Sequence, residues 1–338
     1  MTGTPNLEKL VFSGCTRLSK IHVSLGVLKR LKVLDLNGCK RLKKLPRKIS
    51  LESLELFDLG GCSRLKRFPK IVGDMPRLTK LFLNNTAIEN LPSSVKHLIG
   101  LIELDLNNCK NLSSLVDATC SLTSLKTLTL SSCPKLEQLP KNLGNLKSLE
   151  KLYLNGTAII GLPSSFVLLK NLIILSLHKC QGLSTKSLTP IGIERSLSSL
   201  WSLAELDLSY CCLPAIPDIF GSLPFLGVLH LTGNNFVHLP KSIIQLTTMI
   251  KLDLNACMRL RSLPELPLNI QSIEANGCTS LEAITLTPGN YFHPFLRFIN
   301  CIKLIEHEGY GDMLLTMLRQ YFQVRSLSLS LSLSLMKY

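Results

Sequence analysis

The stretch LKVLDLNGCKRLKKLP, residues 31–46, decides the fold, because the chain repeats it. LIELDLNNCKNLSSL (101–115), LKTLTLSSCPKLEQLP (125–140) and IKLDLNACMRLRSLP (250–264) follow the same pattern, LxxLxLxxCxxLxxLP. Its ninth position falls at Cys15, Cys39, Cys62, Thr86, Cys109, Cys133, Thr157, Cys180, Cys211, Asn234, Cys257, Cys278 and Cys301. The intervals are 24, 23, 24, 23, 24, 24, 23, 31, 23, 23, 21 and 23 residues. Thirteen marks at one period define a repeat array.

The physics of the fold follows from the pattern. Leucines alternate within it, so each copy predicts a short strand with one buried face and one free face. No copy can enclose its own leucines, but stacked copies bury them in a continuous core behind a parallel sheet. The Leu-Pro pair marks the turn to the convex side, since Pro fixes φ and ends regular pairing. The expected fold class is an α/β solenoid. It is a leucine-rich-repeat horseshoe with a concave parallel β-sheet, about 13 coils and short convex turns or helices. At ~4.8 Å per strand it spans an arc of roughly 60 Å.

Composition agrees. With 46% hydrophobic residues but only 6% aromatic ones, a core in this 338-residue chain has to be mostly leucine. The repeats are expected over 1–290, with the long interval placing an insertion at 183–203 that holds the single tryptophan, Trp201. That insertion reads as a tolerated surface loop or as a contact element, since a solvated Trp is costly. A last partial repeat and a capping helix opened by Asp312 are expected over 291–323. The Leu-Ser alternation of 324–338 reads as low-complexity sequence of the kind a CT dinucleotide repeat encodes, an artefact by origin rather than a designed strand.

The start MTGTPNLEKL lacks the apolar run of a signal peptide, and the best apolar window (159–177) is broken by Pro163, Lys170 and Asn171. A cytoplasmic protein is expected, with the nucleus as a second compartment and no membrane contact. Catalytic chemistry finds no support. There is no CxxC, no phosphate-cradling GxxxxGK[ST] and no GxSxG, and His293, Cys301 and His307 have no metal-ligand spacing. No enzyme activity, metal or cofactor is expected. Ten of the 12 cysteines stand in the ninth column, an inward place for a small side chain that stitches coils together, and are expected as free thiols.

Two surfaces remain as candidates. Midway along the strands, the free-face column runs Val11, Asp35, Asp58, Phe82, Asp105, Thr129, Tyr153, Ser176, Asp207, His230, Asp253, Glu274 and Arg297. Six of the thirteen are acidic, and like charges on adjacent strands oppose pairing. Folding alone therefore does not explain them, although Lys9, Lys80, Lys151 and Lys251 lie near enough to relieve the repulsion. The acidic residues, with Phe82, Tyr153, His178 and His230, form the candidate ligand face. The second surface is basic. The formal net charge is +15, and residues 1–80 hold 18 Lys/Arg against 6 Asp/Glu. Lys40, Arg41, Lys43 and Lys44 in one coil match Arg64, Lys66, Arg67 and Lys70 in the next, a lateral edge suited to docking an acidic protein partner. The edge lacks the interleaved aromatics of a nucleic-acid footprint.

The segments NTAIENLPSSVKHLIGLIELDLNNCKNL (85–112), GTAIIGLPSSFVLLKNLIILSLHKC (156–180), LPELPLNIQSIEANGCTSLEAI (263–284) and FINCIKL (298–304) resemble the TIR-type nucleotide-binding leucine-rich-repeat disease resistance proteins of plants. The similarity covers about residues 5–323, and coil five departs from it with Leu115–Val116 where Leu-Pro is usual. The resemblance implies an effector-sensing and autoinhibitory module of an intracellular immune receptor. Its implied partners are a pathogen effector or a guarded host protein, and the nucleotide-binding domain of the parent or a related receptor. It also implies that the chain is a piece of such a receptor, since the TIR and nucleotide-binding domains are not in it. The second class is a free-standing intracellular scaffold that bridges signalling proteins; an extracellular ectodomain and an enzyme rank below both.

Overall fold

The computed structural model describes residues 6–183, 196–285 and 295–306. Each coil contributes one short strand, from Lys9–Val11 in coil 1 to Phe295–Arg297 in coil 13. These form a parallel sheet of 13 strands in chain order. The register never slips: Leu34 faces Phe57, Phe57 faces Leu81, and the same step carries on to Leu296. Register is held so firmly because one residue of slip would turn every leucine outward. The 31-residue interval does not disturb it, since Ile174–Ser176 still pairs with Glu205–Asp207. Residues 184–195 of the expected insertion, the helix expected at 311–323 and the Leu-Ser stretch lie outside the described residues.

Behind the sheet, leucine columns such as Leu31, Leu34, Leu36 and Leu42 are fully buried, and the core runs unbroken from coil to coil. The ninth column works as expected of an inward stitch. Cys39 donates its thiol to the Phe12 carbonyl, Cys62 to Leu36, Cys109 to Leu83, and the same bond recurs up to Cys301 and Ala275. Each bond ties one coil to the one before it. All 12 cysteines are free. Burial pushes the thiols up, to about 12 at Cys62, Cys133, Cys211 and Cys278. Cys15 departs from the column by being exposed, because its coil has no neighbour on that side among the described residues.

The eighth position carries a rule that the leucine pattern does not show. In every one of the 13 coils, from Gly14 to Asn300, the residue before the ninth position has φ between 55° and 74°. This is the left-handed turn that sends the chain from sheet to core. Gly or Asn fills it in most coils, as expected for that conformation. Ser132, Lys179, Tyr210 and Ala256 hold it as residues that are neither Gly nor Asn.

On the convex side the proline does more than end a strand. Pro92, Pro163 and Pro240 sit in extended conformation immediately before the 3-10 helices Ser93–His97, Ser164–Leu168 and Lys241–Gln245. Pro's fixed φ presets this entry. Val116 takes the same place before Asp117–Ser121 with φ −71° and ψ 147°, so coil five reaches the same entry without Pro. Coils 2 and 3 differ: after Pro46 and Pro69 the chain stays extended, and Lys48–Ile49 pairs with Lys70–Ile71 in a small second sheet.

Candidate recognition surfaces

The register places the predicted free-face column in one line. Val11 pairs with Asp35, Asp35 with Asp58, Asp58 with Phe82 and Phe82 with Asp105, and the line continues through Thr129, Tyr153, Ser176, Asp207, His230, Asp253 and Glu274 to Arg297. His178 lies two residues beyond Ser176, in the next column along.

The expectation that folding leaves the acidic residues unexplained does not hold. The carboxylate of Asp35 accepts the Asn37 backbone N–H at 2.9 Å, and Asp58, Asp105, Asp207 and Asp253 accept the N–H two residues on in the same way. Each aspartate thus closes the turn that ends its own strand, an ordinary role for this side chain. The like-charged neighbours are bridged as well. Asn37 Nδ2 donates to both oxygens of Asp58 at 3.2 Å, and Asn255 Nδ2 donates to Asp253 at 2.8 Å and Glu274 at 3.3 Å. Amides, rather than the flanking lysines, supply the compensation; Lys80 pairs instead with Glu103 at 3.9 Å. Asp105 shows the cost of its half-buried place, with burial pushing its carboxyl above the usual value.

The histidines define a more distinctive stretch in coils 8–11. His230 Nδ1 lies 3.4 Å from Asp253 Oδ2, and that contact raises the histidine's pKa. Burial alone would push Asp253 up, but hydrogen bonds from His230, Thr232 and Asn255 outweigh it and hold the carboxyl at about 2. His178 Nδ1 lies 3.8 Å from Asp207 and packs edge-on against Tyr210, with ring centroids 5.3 Å apart. The Lys179 ammonium lies 5.6 Å from the same tyrosine ring.

Tyr210 is the residue that reading the strands misses, because it occupies the left-handed eighth position. It is 38% exposed, and its ring lies over Gly233, where any Cβ would fall 2.4 Å from Cδ1. A signal was nevertheless in the sequence. Where the other coils carry Gly, Asn, Ser or Ala, coils 8 and 9 place Lys179 and Tyr210 side by side. Phe82 and Tyr153 stand alone by comparison, half-buried among aspartate, threonine and serine. Trp201, at the edge of the insertion, is 58% exposed under the Lys170 ammonium at 4.8 Å.

All eight residues of the expected basic edge are exposed. Seven of them line two adjoining clefts of about 870 and 410 Å³ that share Ser63 and Arg64. Lys70 does not, since its strand turns it beside Lys48. Arg17 and Arg47, absent from the predicted set, do line them. Among the described residues no helix is long and apolar enough to cross a membrane.

Comparison with known proteins places this geometry. Residues 50–123 match the family model described as disease resistance protein RPS4B-like leucine-rich repeats, 101–194 match a leucine-rich repeat region and 202–223 a leucine-rich repeat. TMV resistance protein N of Nicotiana glutinosa is 36% identical over 84% of this chain and 24% of its own length. Disease resistance-like protein DSC1 of Arabidopsis thaliana is 38% identical over 88% of this chain and 24% of its own. Among solved structures, an internalin (inlF) of Listeria monocytogenes superposes with TM-score 0.51 at 18% identity, over 89% of this chain and 86% of that one. The functional domain of InlJ from the same organism, whose description includes a cysteine ladder, gives TM-score 0.51 at 19% identity over 84% and 59%. These two likenesses show the fold alone.

The chain is therefore a leucine-rich-repeat protein, a class whose folds ordinarily make protein contacts without catalysis. Its repeats are of the kind carried by the TIR-type nucleotide-binding disease resistance proteins of plants. It spans about a quarter of the length of the first two of these relatives.

Proposed function

We propose that the chain is the protein-recognition module of an intracellular plant immune receptor, reading a pathogen effector or a guarded host protein at the rim of coils 8–10. The observation that carries this reading is Tyr210. A bulky aromatic at a left-handed position is a local cost that packing does not demand, and such costs gather at binding sites. Exposed tyrosine beside His178 and Lys179 is also the chemistry of an interface anchor. The aspartate column is the scaffold that holds this rim, with Phe82 and Tyr153 as outlying contacts. The basic edge docks an acidic face of the nucleotide-binding domain of the parent or a related receptor and restrains it. Residues 1–290 act as one cytoplasmic module closed by 291–323, with the Leu-Ser stretch playing no part.

The test uses a receptor rebuilt from this chain and the TIR and nucleotide-binding domains of a relative. Tyr210→Ser with His178→Ala is expected to abolish or redirect effector-triggered cell death while protein level is kept. Unchanged specificity overturns the rim assignment. Reversal of Lys43, Lys44, Arg64 and Arg67 to Glu is expected to weaken nucleotide-binding-domain association and to give cell death without effector. Association that is equally tight and insensitive to salt overturns the docking reading.

A further inference from the structure

Where a lysine on the solenoid pairs with a carboxylate, the partner lies one coil away. Lys32 meets Glu8 at 2.8 Å, Lys126 meets Glu150 at 2.8 Å, Lys303 meets Glu282 at 3.1 Å and Lys29 meets Glu52 at 3.4 Å. The two clefts on the basic edge hold no such pair. Nine Lys and Arg residues line them and no acidic residue does. None of the nine pairs with a carboxylate among the described residues. Glu89 stands in coil 4 at the place Lys66 holds in coil 3, with its amide against the Lys66 carbonyl, and it lines neither cleft.

The walls sort by chemistry. The smaller cleft is polar throughout: Arg17, Lys40, Arg41 and Arg64 with the hydroxyl-bearing Thr16 and Ser63. The larger has Leu45, Pro46, Phe68, Pro69 and Ala87 among its lining residues, beneath lysines and arginines. We propose that these adjoining clefts bind one small organic anion carrying several phosphate groups, with its phosphates in the polar cleft and its less polar body over the apolar residues. Charge density favours phosphate over an acidic peptide. A phosphate monoester carries about −1.5 to −2 charges on three acceptor oxygens, whereas an extended peptide offers at most one carboxylate per ~3.4 Å of chain. Planar guanidinium groups and neighbouring hydroxyls match phosphate oxygens directly. The inference shares Lys43, Lys44, Arg64 and Arg67 with the domain-docking reading but rests on the clefts and the chemistry of their walls.

The experiment is calorimetric titration of the whole chain at 150 mM salt, where ~8 Å screening removes diffuse attraction. The probes are inositol hexakisphosphate and, separately, phosphatidylcholine vesicles with and without phosphatidylinositol 4,5-bisphosphate. Saturable one-to-one binding of the soluble probe is expected, weakened at least tenfold by Arg64→Glu and by Arg41→Gln. Lys135→Glu and Arg77→Glu, outside the clefts, should leave it unchanged, with circular dichroism confirming that all four variants fold. Binding confined to the phosphoinositide vesicles, with the same variant pattern, also supports the site and assigns the phosphates to a lipid headgroup. No saturable binding of either probe, or equal loss in the outside variants, overturns the proposal.

Discussion

At the scale of the residue, the eighth position offers the sharpest test. A Cβ in the left-handed region costs roughly 1–2 kcal/mol. At Gly156 a new Cβ would meet nothing nearer than Ser132 Cα at 3.9 Å, so Gly156→Ala should cost about that much and no more. At Gly61 it would press on Gly38 N and Cα at 3.3 Å, so Gly61→Ala should cost more. Urea midpoints that rank the two in the opposite order would contradict the packing account. The His230–Asp253 pair makes a second prediction, with its sign set by the shifts. A raised histidine contributes stability below its ordinary pKa and loses it as pH climbs through the folded value. A depressed aspartate contributes above its ordinary pKa and loses it only as pH falls toward about 2. The destabilisation caused by Asp253→Asn should therefore be larger at pH 5.5 than at pH 8.5. Equal losses at both would show that the histidine is neutral throughout.

At the scale of the element, strand, turn and ladder were legible because each repeats: a residue type seen once is ambiguous, but the same type at every interval fixes a face. Hence the strands, their register and the inward cysteines could be read directly. The acidic column was legible in position and misread in cause. Its compensation comes from backbone N–H groups and from Asn37 and Asn255, and no count of charges reveals a hydrogen bond to a turn. Tyr210 was hidden for a related reason, since a search for side chains between the strand leucines stops at Asp207, three residues too early. The cysteine ladder itself is testable. Cys109→Ala removes the thiol bond to the Leu83 carbonyl, which keeps the Thr86 hydroxyl as a donor, and should cost about 0.5–1.5 kcal/mol. Cys15 and Cys212 should react with a thiol reagent in the native protein, while the buried ladder thiols should label only on unfolding. Uniform labelling of all 12 in the native state would mean that the coils part far more easily than their packing allows.

At the scale of the whole molecule, stability is nearly a sum over neighbours, because each coil packs on the coils before and after it. A lesion should therefore act locally. Leu152→Ala, in the middle of the array, should cost about 2–5 kcal/mol and expose the amides of coils 6–8 to hydrogen exchange before those of coils 2 and 12. Uniform exposure along the chain would mean that the array folds as one unit. The same one-dimensional order has a mechanical meaning. Held at its two ends and stretched, the array can yield coil by coil, because rupture at one ladder leaves the next intact. A 24-residue coil, drawn out at ~3.4 Å per residue, would release roughly 80 Å of thread, and the 31-residue interval before Cys211 roughly 100 Å. A force trace would then read the spacing of the cysteines as a ruler, with one longer division two-thirds of the way along.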